Sequence, residues 1–421
     1  MSRGKRVSRR MVLQRGVRVG LVGVTAPYFI PSGVLAAPGR PGANDRVGVG
    51  YIGVGRRGRQ NMNLPKDARI VAISDVHEKR LAEVGKGKPW KRHADYRKML
   101  ESADVDAVLI STPDHWHALP AIHACQANKD VYCEKPMTLT VREGRAMVRA
   151  VRQYKRVFQT GSQQRSMAKC RIGCELVRNG RIGKVHTVHG NCYPSPIDTC
   201  ELPSEPAPDG LHWNVWCGQT KPRPYHVDLY LPRAKPGWIS FRPYSGGEMT
   251  GWGAHGLDII QWALGTDATG PVEVWPEGTG PKCNVSFRYA SGVVVHLDSK
   301  GPAGGALFVG DKGTIRVDRG KYEVTPKELG ENPLDSGDVR LYKSDHHKAD
   351  WITCIKTRKT PVADVEIGHR STTFCHLGNI ARWTGRKLRW SPEKEVFIGD
   401  EEANGLLERP MRAPYGLPEL V

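Results

Sequence analysis

Long apolar runs are scarce in this chain of 421 residues, and cysteines at metal-binding spacing are absent. The 10 cysteines are scattered and form no Cys-x-x-Cys motif, so we expect mostly buried thiols rather than a disulfide scaffold. Two short polar clusters, Asp114–His117 and Asp345–His347, each contain two histidines, but neither has a partner cluster at zinc-binding spacing. The sequence therefore predicts no metal site.

Acidic residues are missing from the first 40 positions, which hold eight Lys and Arg residues. A twin-arginine pattern at Ser8–Leu13 precedes a weakly apolar run and the small residues of Val34–Ala37, as in an export signal. Arginine and proline residues interrupt the apolar run, which is therefore too short to cross a bilayer. We predict a twin-arginine signal over residues 1–37, no stable membrane anchor, and a periplasmic or exported protein.

The formal net charge of +20 falls to about +12 beyond residue 40, where 55 basic and 43 acidic residues remain. These charges are spread along the chain without a basic helix or a base-stacking aromatic motif. That distribution argues against a nucleic-acid partner. The length is sufficient for two domains, each with its own core.

A glycine-rich turn contains two overlapping Gly-x-Gly-x-x-Gly motifs, one starting at Gly48 and the other at Gly53. Only the second follows a full strand, whose apolar residues alternate over residues 46–52, and precedes a plausible helix. In that register Gly53 forms the tight turn, Gly55 lets the backbone approach a pyrophosphate, and Gly58 packs the helix on the strand. The helix start then faces the phosphates of a dinucleotide.

An acidic residue, Asp75, ends the next strand at residues 68–75, 22 positions after Gly53. A carboxylate at this spacing can accept both ribose hydroxyls and repels a 2′-phosphate, which favours NAD over NADP. Arg56 and Arg57 in the turn could weaken that preference. Asp75 could equally cap a helix that begins near His77, and the two roles are compatible.

Strand and helix patterns then alternate up to residue 160. The predicted strands lie at residues 106–111, 130–133 and 156–160, and the predicted helices at residues 118–127 and 141–154. This alternation predicts an α/β fold with a doubly wound parallel sheet over residues 45–160. Ligands bind at the carboxyl ends of such strands, where Gly53, Asp75, Thr112 and Lys135 fall.

Lys135 lies in the motif Cys133-Glu134-Lys135-Pro136, directly after a predicted strand. Near a positively charged nicotinamide, burial and like charge lower the pKa of a lysine, so that it can exchange a substrate proton. The alternative is an ordinary surface lysine before a proline.

Five segments together resemble the Gfo/Idh/MocA oxidoreductases, relatives of glucose-fructose oxidoreductase and inositol dehydrogenase. They are Ile52–Gly58, Asp75, Ser111–His117, Cys133–Pro136 and Trp252–His255. The resemblance covers nearly all of residues 46–400. It implies a C-terminal α/β domain over residues 161–400 with a large, mostly antiparallel open sheet, a tail over residues 401–421, and a homo-oligomer formed through that sheet.

The resemblance also implies a site. Lys135 and His255 would be catalytic, although the family pairs this histidine with an aspartate four residues earlier and Gly251 stands there. Asp258 could replace that aspartate, and His255 could instead be a buried core histidine. The further residues implied for the cofactor are Thr112, Pro113, His117 and Glu134. Those implied for the substrate are Arg165 and Asp258. Tyr193 and Trp213 are added because aromatic faces can stack on the C–H groups of a sugar ring.

Alternatives remain for several of these residues. His117 could simply start a helix, and the aromatic residues could be packing residues. Residues 194–245 lack periodicity, and a loop of this length could wall a pocket.

The preferred function is oxidation or reduction of a sugar, glycoside or cyclic polyol by an exported NAD-dependent enzyme. Because Gly251 replaces the aspartate, a second function stays open: an NAD-assisted glycosidase or lyase that oxidises C3 transiently without net redox change. A sugar-binding protein without catalysis is the third alternative.

Overall fold

The computed structural model describes residues 42, 45–198, 201–234 and 236–419. The predicted export signal over residues 1–37 lies outside the described residues. All the elements below belong to one compact unit, Arg46–Val421.

The first sheet has six parallel strands in the order β3-β2-β1-β4-β5-β6. Its strands are β1 (Val47–Ile52), β2 (Ala68–Ser74), β3 (Lys91–His93), β4 (Ala107–Ile110), β5 (Asp130–Cys133) and β6 (Phe158–Thr160). The helices of this region are α1 (Arg56–Gln60), α2 (Glu78–Val84), α3 (Tyr96–Leu100), α4 (Ala118–Gln126) and α5 (Val141–Gln153). This is the strand order of a dinucleotide-binding sheet, so the predicted doubly wound sheet is confirmed. Strand β3 was not predicted because its three residues are polar and show no apolar alternation.

The second sheet has nine strands in the order β13-β12-β11-β7-β10-β9-β8-β14-β15. Its strands are β7 (Val185–Gly190), β8 (Glu273–Glu277), β9 (Asn284–Arg288), β10 (Val294–Leu297), β11 (Ala306–Gly310), β12 (Gly313–Asp318), β13 (Lys321–Thr325), β14 (Leu388–Ser391) and β15 (Val396–Phe397). Among the described strands of this sheet, β7 and β10 alone pair in parallel, which confirms the prediction of a mostly antiparallel sheet.

One face of the second sheet forms a core with helices. In β12, for example, Ile315 and Val317 are fully buried whereas Thr314 and Arg316 are only half-buried. The remaining helices are α6 (Ala168–Arg178), α7 (Trp213–Cys217), α8 (Val227–Tyr230), α9 (Gly247–Gly251), α10 (Gly253–Leu264), α11 (His347–Thr357), α12 (Val365–Thr384) and α13 (Glu401–Gly405). Among them, α6, α10 and α12 pack against this buried face.

Helix α11 belongs in sequence to the second half of the chain but packs on the first sheet. Its Trp351 and Ile352 are buried in one cluster with Val49 of β1 and Ile73 of β2. The first sheet therefore obtains part of its cover from a helix that begins almost 190 residues after β6.

None of the helices within the described residues is long and apolar enough to cross a bilayer. Most cysteines in that part of the chain are buried, as expected, and only Cys192 and Cys283 are half-buried.

Candidate active site

A cleft of about 1220 Å³ opens at the carboxyl ends of the first sheet. Most of the residues predicted for cofactor and catalysis line it: Gly53, Gly55, Asp75, Thr112, Pro113, His117, Glu134, Lys135 and His255. The opposite wall comes from described residues between positions 212 and 233, from Trp238 and Ile239, and from the start of α10. The fold thus brings together residues that are more than 200 positions apart in sequence.

The three glycines of the predicted turn have different surroundings. Gly53 has φ +84°, and a Cβ there would meet the backbone of Ser111 and Thr112 at 2.9 Å. A Cβ on Gly58 would meet the carbonyl oxygen of Gly53 at 2.2 Å, so this glycine allows α1 to pack on β1. The nearest atom to a Cβ on Gly55 is Arg80 Nη1 at 3.8 Å. Gly55 therefore leaves the cleft open at the point where a pyrophosphate needs close approach.

Asp75 is buried at the end of β2 and supports the same turn. Its Oδ2 accepts a hydrogen bond from the amide of Val54 (2.9 Å) and its Oδ1 accepts one from the amide of His77 (3.0 Å). Arg80 Nη1 lies 3.4 Å from Oδ1. The residue that caps α2 is His77 itself, so Asp75 holds the chain just before the helix. Its ribose contact stays a prediction.

Lys135 projects from the end of β5 across the cleft toward α9. Its Nζ donates a hydrogen bond to the carbonyl oxygen of Gly251 at 2.5 Å. Burial lowers the pKa of Lys135, and the charges of Arg233 and Arg57 lower it further, whereas neighbouring carboxylates oppose the shift. Lys135 is thus a half-buried amine on the cleft wall rather than an ordinary surface lysine.

Glu134 points away from Lys135, toward the glycine-rich turn. Its Oε1 accepts hydrogen bonds from Asn61 Nδ2 and from Arg57 Nη2, both at 2.8 Å. Burial by itself would raise the pKa of Glu134, but Arg57 and these hydrogen bonds hold it below its usual value. The carboxylate therefore fixes Arg57 at the glycine-rich turn, where the phosphates of a dinucleotide would bind.

His255 lies on α10 near Lys135 and is only 6% exposed. Arg319 Nη2 is 3.1 Å from its Nε2. A guanidinium can only donate, so Nε2 must be the acceptor and the imidazole is neutral. Burial lowers the pKa of His255 well below 6.5, and the charges of Lys135 and Arg319 add to the shift.

A carboxylate does lie beside position 251, although that residue is glycine. A Cβ on Gly251 would stand 2.7 Å from Glu248 Oε2. Glu248 also binds Arg233, with distances of 2.7 Å to Nε and 3.2 Å to Nη2. Residues three apart share a helix face, so the sequence itself indicates Glu248 beside position 251, whereas the predicted substitute was Asp258.

The family models account for both halves of the chain. Residues 47–162 match the model described as oxidoreductase family, NAD-binding Rossmann fold, and residues 196–417 match the one described as oxidoreductase family, C-terminal alpha/beta domain. The chain belongs to the Gfo/Idh/MocA oxidoreductase family. The resemblance inferred from the five sequence segments is therefore confirmed.

Several members of this family are similar to the chain over part of its length. Myo-inositol 2-dehydrogenase of Thermotoga maritima is 33% identical over 157 residues, which is 36% of this chain and 47% of that protein. The 2,7-anhydro-N-acetylneuraminate hydratase of Mediterraneibacter gnavus is 31% identical over 34% of this chain and 37% of that protein. The chain thus spans about half or less of the length of these curated relatives.

A solved structure shows the same fold over most of both chains. The WlbA dehydrogenase of Bordetella pertussis, solved with NADH and UDP-GlcNAcA, has a TM-score of 0.61 at 18% identity and covers 82% of this chain and 98% of its own.

The described residues of this Gfo/Idh/MocA protein fit the cofactor of its NAD-binding Rossmann domain. Gly55 leaves room for a pyrophosphate, and Arg56 and Arg57 line the cleft at the start of α1. Asp75 lies at the end of β2, where a ribose would bind. No cluster of histidine, cysteine and carboxylate side chains within the described residues could hold a metal ion.

Arg165 and Asp258, predicted to contact substrate, lie outside the cleft. They are 1% and 2% exposed, and Arg165 Nε is 2.9 Å and 3.0 Å from the two carboxylate oxygens of Asp258. Arg165 also binds Asp267, and Ser371 donates to Asp258. The expectation is corrected: these charges neutralise each other and join the end of the first sheet to α10. Asp258 is therefore not available to replace the missing aspartate.

Tyr193 and Trp213, also predicted for substrate, are not on the cleft wall either. Trp213 stacks on Trp216 with ring centroids 4.5 Å apart and donates from Nε1 to the carbonyl of Arg223. The hydroxyl of Tyr193 donates to the carbonyl of Ala303 at 2.7 Å. Trp216, from the same aromatic cluster, does line the cleft.

His117 lines the cleft and connects two strand ends. Its Nδ1 is 2.7 Å from the carbonyl oxygen of Pro136, and its Nε2 is 3.0 Å from that of Thr112. The residue also caps α4, as the alternative interpretation proposed. These two contacts keep the strand end with Thr112 at a fixed distance from the segment that carries Lys135.

Described residues of the long segment line the cleft, as expected from its length and composition. They are His212, Val215, Trp216, residues 230–233, Trp238 and Ile239. The amide of His212 donates to the carbonyl of Val76 (2.9 Å), and Trp116 Nε1 donates to the carbonyl of Trp216 (2.9 Å). These contacts anchor the segment to the first sheet. Five arginines of this cleft belong to no sequence motif and were therefore not predicted: Arg59, Arg80, Arg97, Arg233 and Arg319.

Proposed function

We propose that this protein is an NAD-dependent oxidoreductase that acts on a hydroxyl group of a sugar, glycoside or cyclic polyol. One observation carries the proposal. An amine with a lowered pKa, Lys135, shares a cleft with the neutral His255 and with the glycine-rich turn of a Rossmann domain. Such a cleft can hold a dinucleotide and place a proton acceptor at its reactive end.

Lys135 takes the proton of the substrate hydroxyl in this mechanism. A bound NAD, held at Gly55, Arg56 and Arg57, would supply the acceptor for the hydride of the carbinol carbon. The carbinol C–H bond breaks as the C=O bond forms, and the hydroxyl proton passes to the neutral Nζ of Lys135. Burial favours that neutral form, and the carbonyl of Gly251 orients the amine. Because Nε2 of His255 accepts from Arg319, the neutral ring carries its proton on Nδ1, which can donate a hydrogen bond to the substrate oxygen.

The test is turnover of the purified protein with NAD and a panel of sugars, glycosides and inositols, followed by nicotinamide absorbance. Lys135→Ala should lower kcat by about 10²- to 10⁴-fold, the usual contribution of a positioned acid or base. Its affinity for NAD should stay within about tenfold because Lys135 is not at the pyrophosphate side. The exposed Lys86→Ala is the matched control. Unchanged turnover of Lys135→Ala removes this residue from the mechanism.

An NAD-assisted glycosidase or lyase is the second candidate. It is favoured by the surroundings of His255, whose Nε2 faces Arg319 rather than an aspartate, and by the hydratase among the relatives. Such an enzyme oxidises the ring transiently, eliminates, and reduces again. Release of a sugar from a glycoside without net NADH identifies it, whereas net NADH identifies the dehydrogenase.

We also propose that NAD is preferred over NADP. The support is the buried carboxylate of Asp75 at the end of β2, which a 2′-phosphate would meet with like charge. Arg80 beside Asp75 and Arg56 in the turn act against that preference, so the ratio of the two affinities is the decisive quantity.

Export through the twin-arginine route is a further part of the proposal, and it rests on the sequence of residues 1–37 alone. The double substitution Arg9→Lys and Arg10→Lys should leave the protein unprocessed in the cytoplasm. Cell fractionation followed by mass determination measures this, and normal processing of the variant would argue against the signal.

Association into a homo-oligomer through the second sheet is proposed as well. The support is that one face of this sheet packs on helices, whereas residues of its other face, such as Thr314 and Arg316, remain half-buried in a single chain. Light scattering after size exclusion measures the mass, and a monomer at micromolar concentration would contradict the proposal.

A further inference from the structure

The cleft carries a surplus of positive charge. Within the described residues its lining includes eight Lys or Arg side chains and four carboxylates. Several of these arginines have an acidic partner: the pairs are Arg57 with Glu134, Arg59 with Glu83, Arg80 with Asp75, Arg97 with Asp95, and Arg233 with Glu248. The pyrophosphate of a dinucleotide would account for Arg56 at the glycine-rich turn. Arg319 lies elsewhere and is not explained by the cofactor.

Arg319 lies in the turn after β12, at the end of the cleft that holds His255. Its guanidinium is 3.1 Å from His255 Nε2 and 3.3 Å from Gln164 Oε1, and it lies 5.4 Å from the ring centroid of Trp252. All three neighbours are uncharged. No carboxylate pairs with it among the residues that the structure describes. Asp318 instead accepts the backbone amides of Gly304 (3.2 Å) and Arg319 (2.7 Å).

The guanidinium retains hydrogen-bonding capacity toward the cleft. It has five N–H donors in a planar fork, of which one is directed to His255 and one to Gln164. The remaining donors suit a planar carboxylate, which an arginine fork binds by two parallel hydrogen bonds. Arg319 is also exposed, so that a ligand can reach it without displacing protein atoms.

We propose that the substrate is an acidic carbohydrate, a hexuronic acid or its glycoside, whose carboxylate binds Arg319. The proposal rests on the proposed function and specifies its substrate class. The carboxylate on Arg319 places the sugar ring against His255, and through it a ring hydroxyl next to Lys135. Lys135 and Arg319 are both close enough to His255 to lower its pKa, so a ring held against His255 lies near both groups. The same guanidinium gives no comparable advantage to a neutral sugar.

The test compares matched acidic and neutral ligands. Calorimetric titration of the NAD-loaded protein uses methyl glucuronide and methyl galacturonide against methyl glucoside and methyl galactoside. The acidic sugar of at least one pair should bind about tenfold or more tightly, and this preference should shrink with added salt because charge drives it. Arg319→Gln should abolish the preference, and Arg319→Lys should retain part of it. The control Arg149→Gln removes an exposed arginine of α5 and should retain all of it.

Three results would overturn the inference: no binding of either acidic sugar, equal binding within each pair, or an unchanged preference in Arg319→Gln. Should Arg319→Gln fail to fold, Arg319→Lys and the salt series still decide the matter. Turnover is followed in the same samples by nicotinamide absorbance. Oxidation of a neutral sugar with no acidic preference would refute the substrate class while leaving the proposed oxidoreductase function intact.

Discussion

At the scale of single residues, the proton affinity of Lys135 is set by groups of both signs. Burial, Arg233 and Arg57 lower its pKa, and Glu134 and Asp114 act in the opposite direction. The proposed role requires the neutral amine, so oxidation should become faster as pH rises through a pKa that lies below 10.5.

A pair of substitutions should move that pH profile in opposite directions. Arg233→Gln removes a positive neighbour, so the amine holds its proton more strongly and the midpoint of kcat/KM against pH rises. Asp114→Asn removes a negative neighbour, so the midpoint falls. The pH dependence of kcat/KM reports the free enzyme, and Arg149→Gln serves as the charge control. Shifts in the same direction would contradict this account of the lysine.

Asp75 allows a second prediction at this scale. Asp75→Ala should weaken NAD binding by about 10- to 100-fold, from roughly 1.5–3 kcal/mol for hydrogen bonds to a charged group. NADP should lose less, because the variant no longer repels its 2′-phosphate. Fluorescence titration with both nucleotides gives the ratio, and the exposed Asp345→Ala is the control. An equal loss for NAD and NADP would limit Asp75 to supporting the amides of Val54 and His77.

At the scale of elements, α9 supplies the carboxylate that its own position 251 lacks. Glu248 stands one turn before Gly251 and reaches the space into which a side chain at residue 251 would project, while its other contacts hold Arg233 on the cleft wall. The helix therefore retains a negative charge beside position 251. The carboxylate reaches that position from Glu248, so it approaches from a different direction than the side chain of an aspartate at residue 251 would.

The crowding between these two positions can be measured. Gly251→Asp should destabilise the protein by about 1–3 kcal/mol through overpacking and like charge. The double variant with Glu248→Ala should be more stable than the sum of the single effects, with a coupling of about 0.5–3 kcal/mol, as expected for residues in contact. Denaturant unfolding of the four proteins gives the cycle. Additive effects would mean that the Glu248 carboxylate does not occupy this space.

At the scale of the whole molecule, the two halves of the chain share their cores. Trp351 of α11 is fully buried against the first sheet, and its ring packs on Tyr132 of β5. Arg165, at the end of the first sheet, is neutralised by carboxylates on and after α10. The dinucleotide-binding sheet is thus completed by residues that follow it much later in the chain.

A fragment limited to residues 45–160 should therefore not fold cooperatively. It lacks α11 and exposes the apolar side chains of β1 and β2 that this helix covers. In the intact protein, Trp351→Ala should cost about 3–5 kcal/mol, the usual effect of removing a buried aromatic side chain. Calorimetry and dye binding compare the fragment with residues 45–421. A sharp unfolding transition of the fragment alone would contradict this dependence on α11.

Local patterns in the sequence were sufficient for the first sheet and for much of the cleft. Each of these patterns involves residues that are close in sequence, so it is recognisable without knowledge of the tertiary structure. They are the alternation of strands and helices, the spacing of Gly53, Gly55 and Gly58, and the motif around Lys135. Short polar strands such as β3 have no such pattern.

The rest was decided by tertiary structure. Arg165 meets Asp258 across 93 positions, and Arg319 meets His255 across 64, so neither pairing has a local signature. The physical reason is that the segment packed against an arginine determines its role. A distant carboxylate neutralises the guanidinium in the core, whereas an arginine without such a partner keeps its charge in the cleft. From the sequence alone Arg165 resembled a substrate contact and Arg319 resembled nothing in particular. Only the folded chain shows that the first is buried in an ion pair and that the second is open to a ligand.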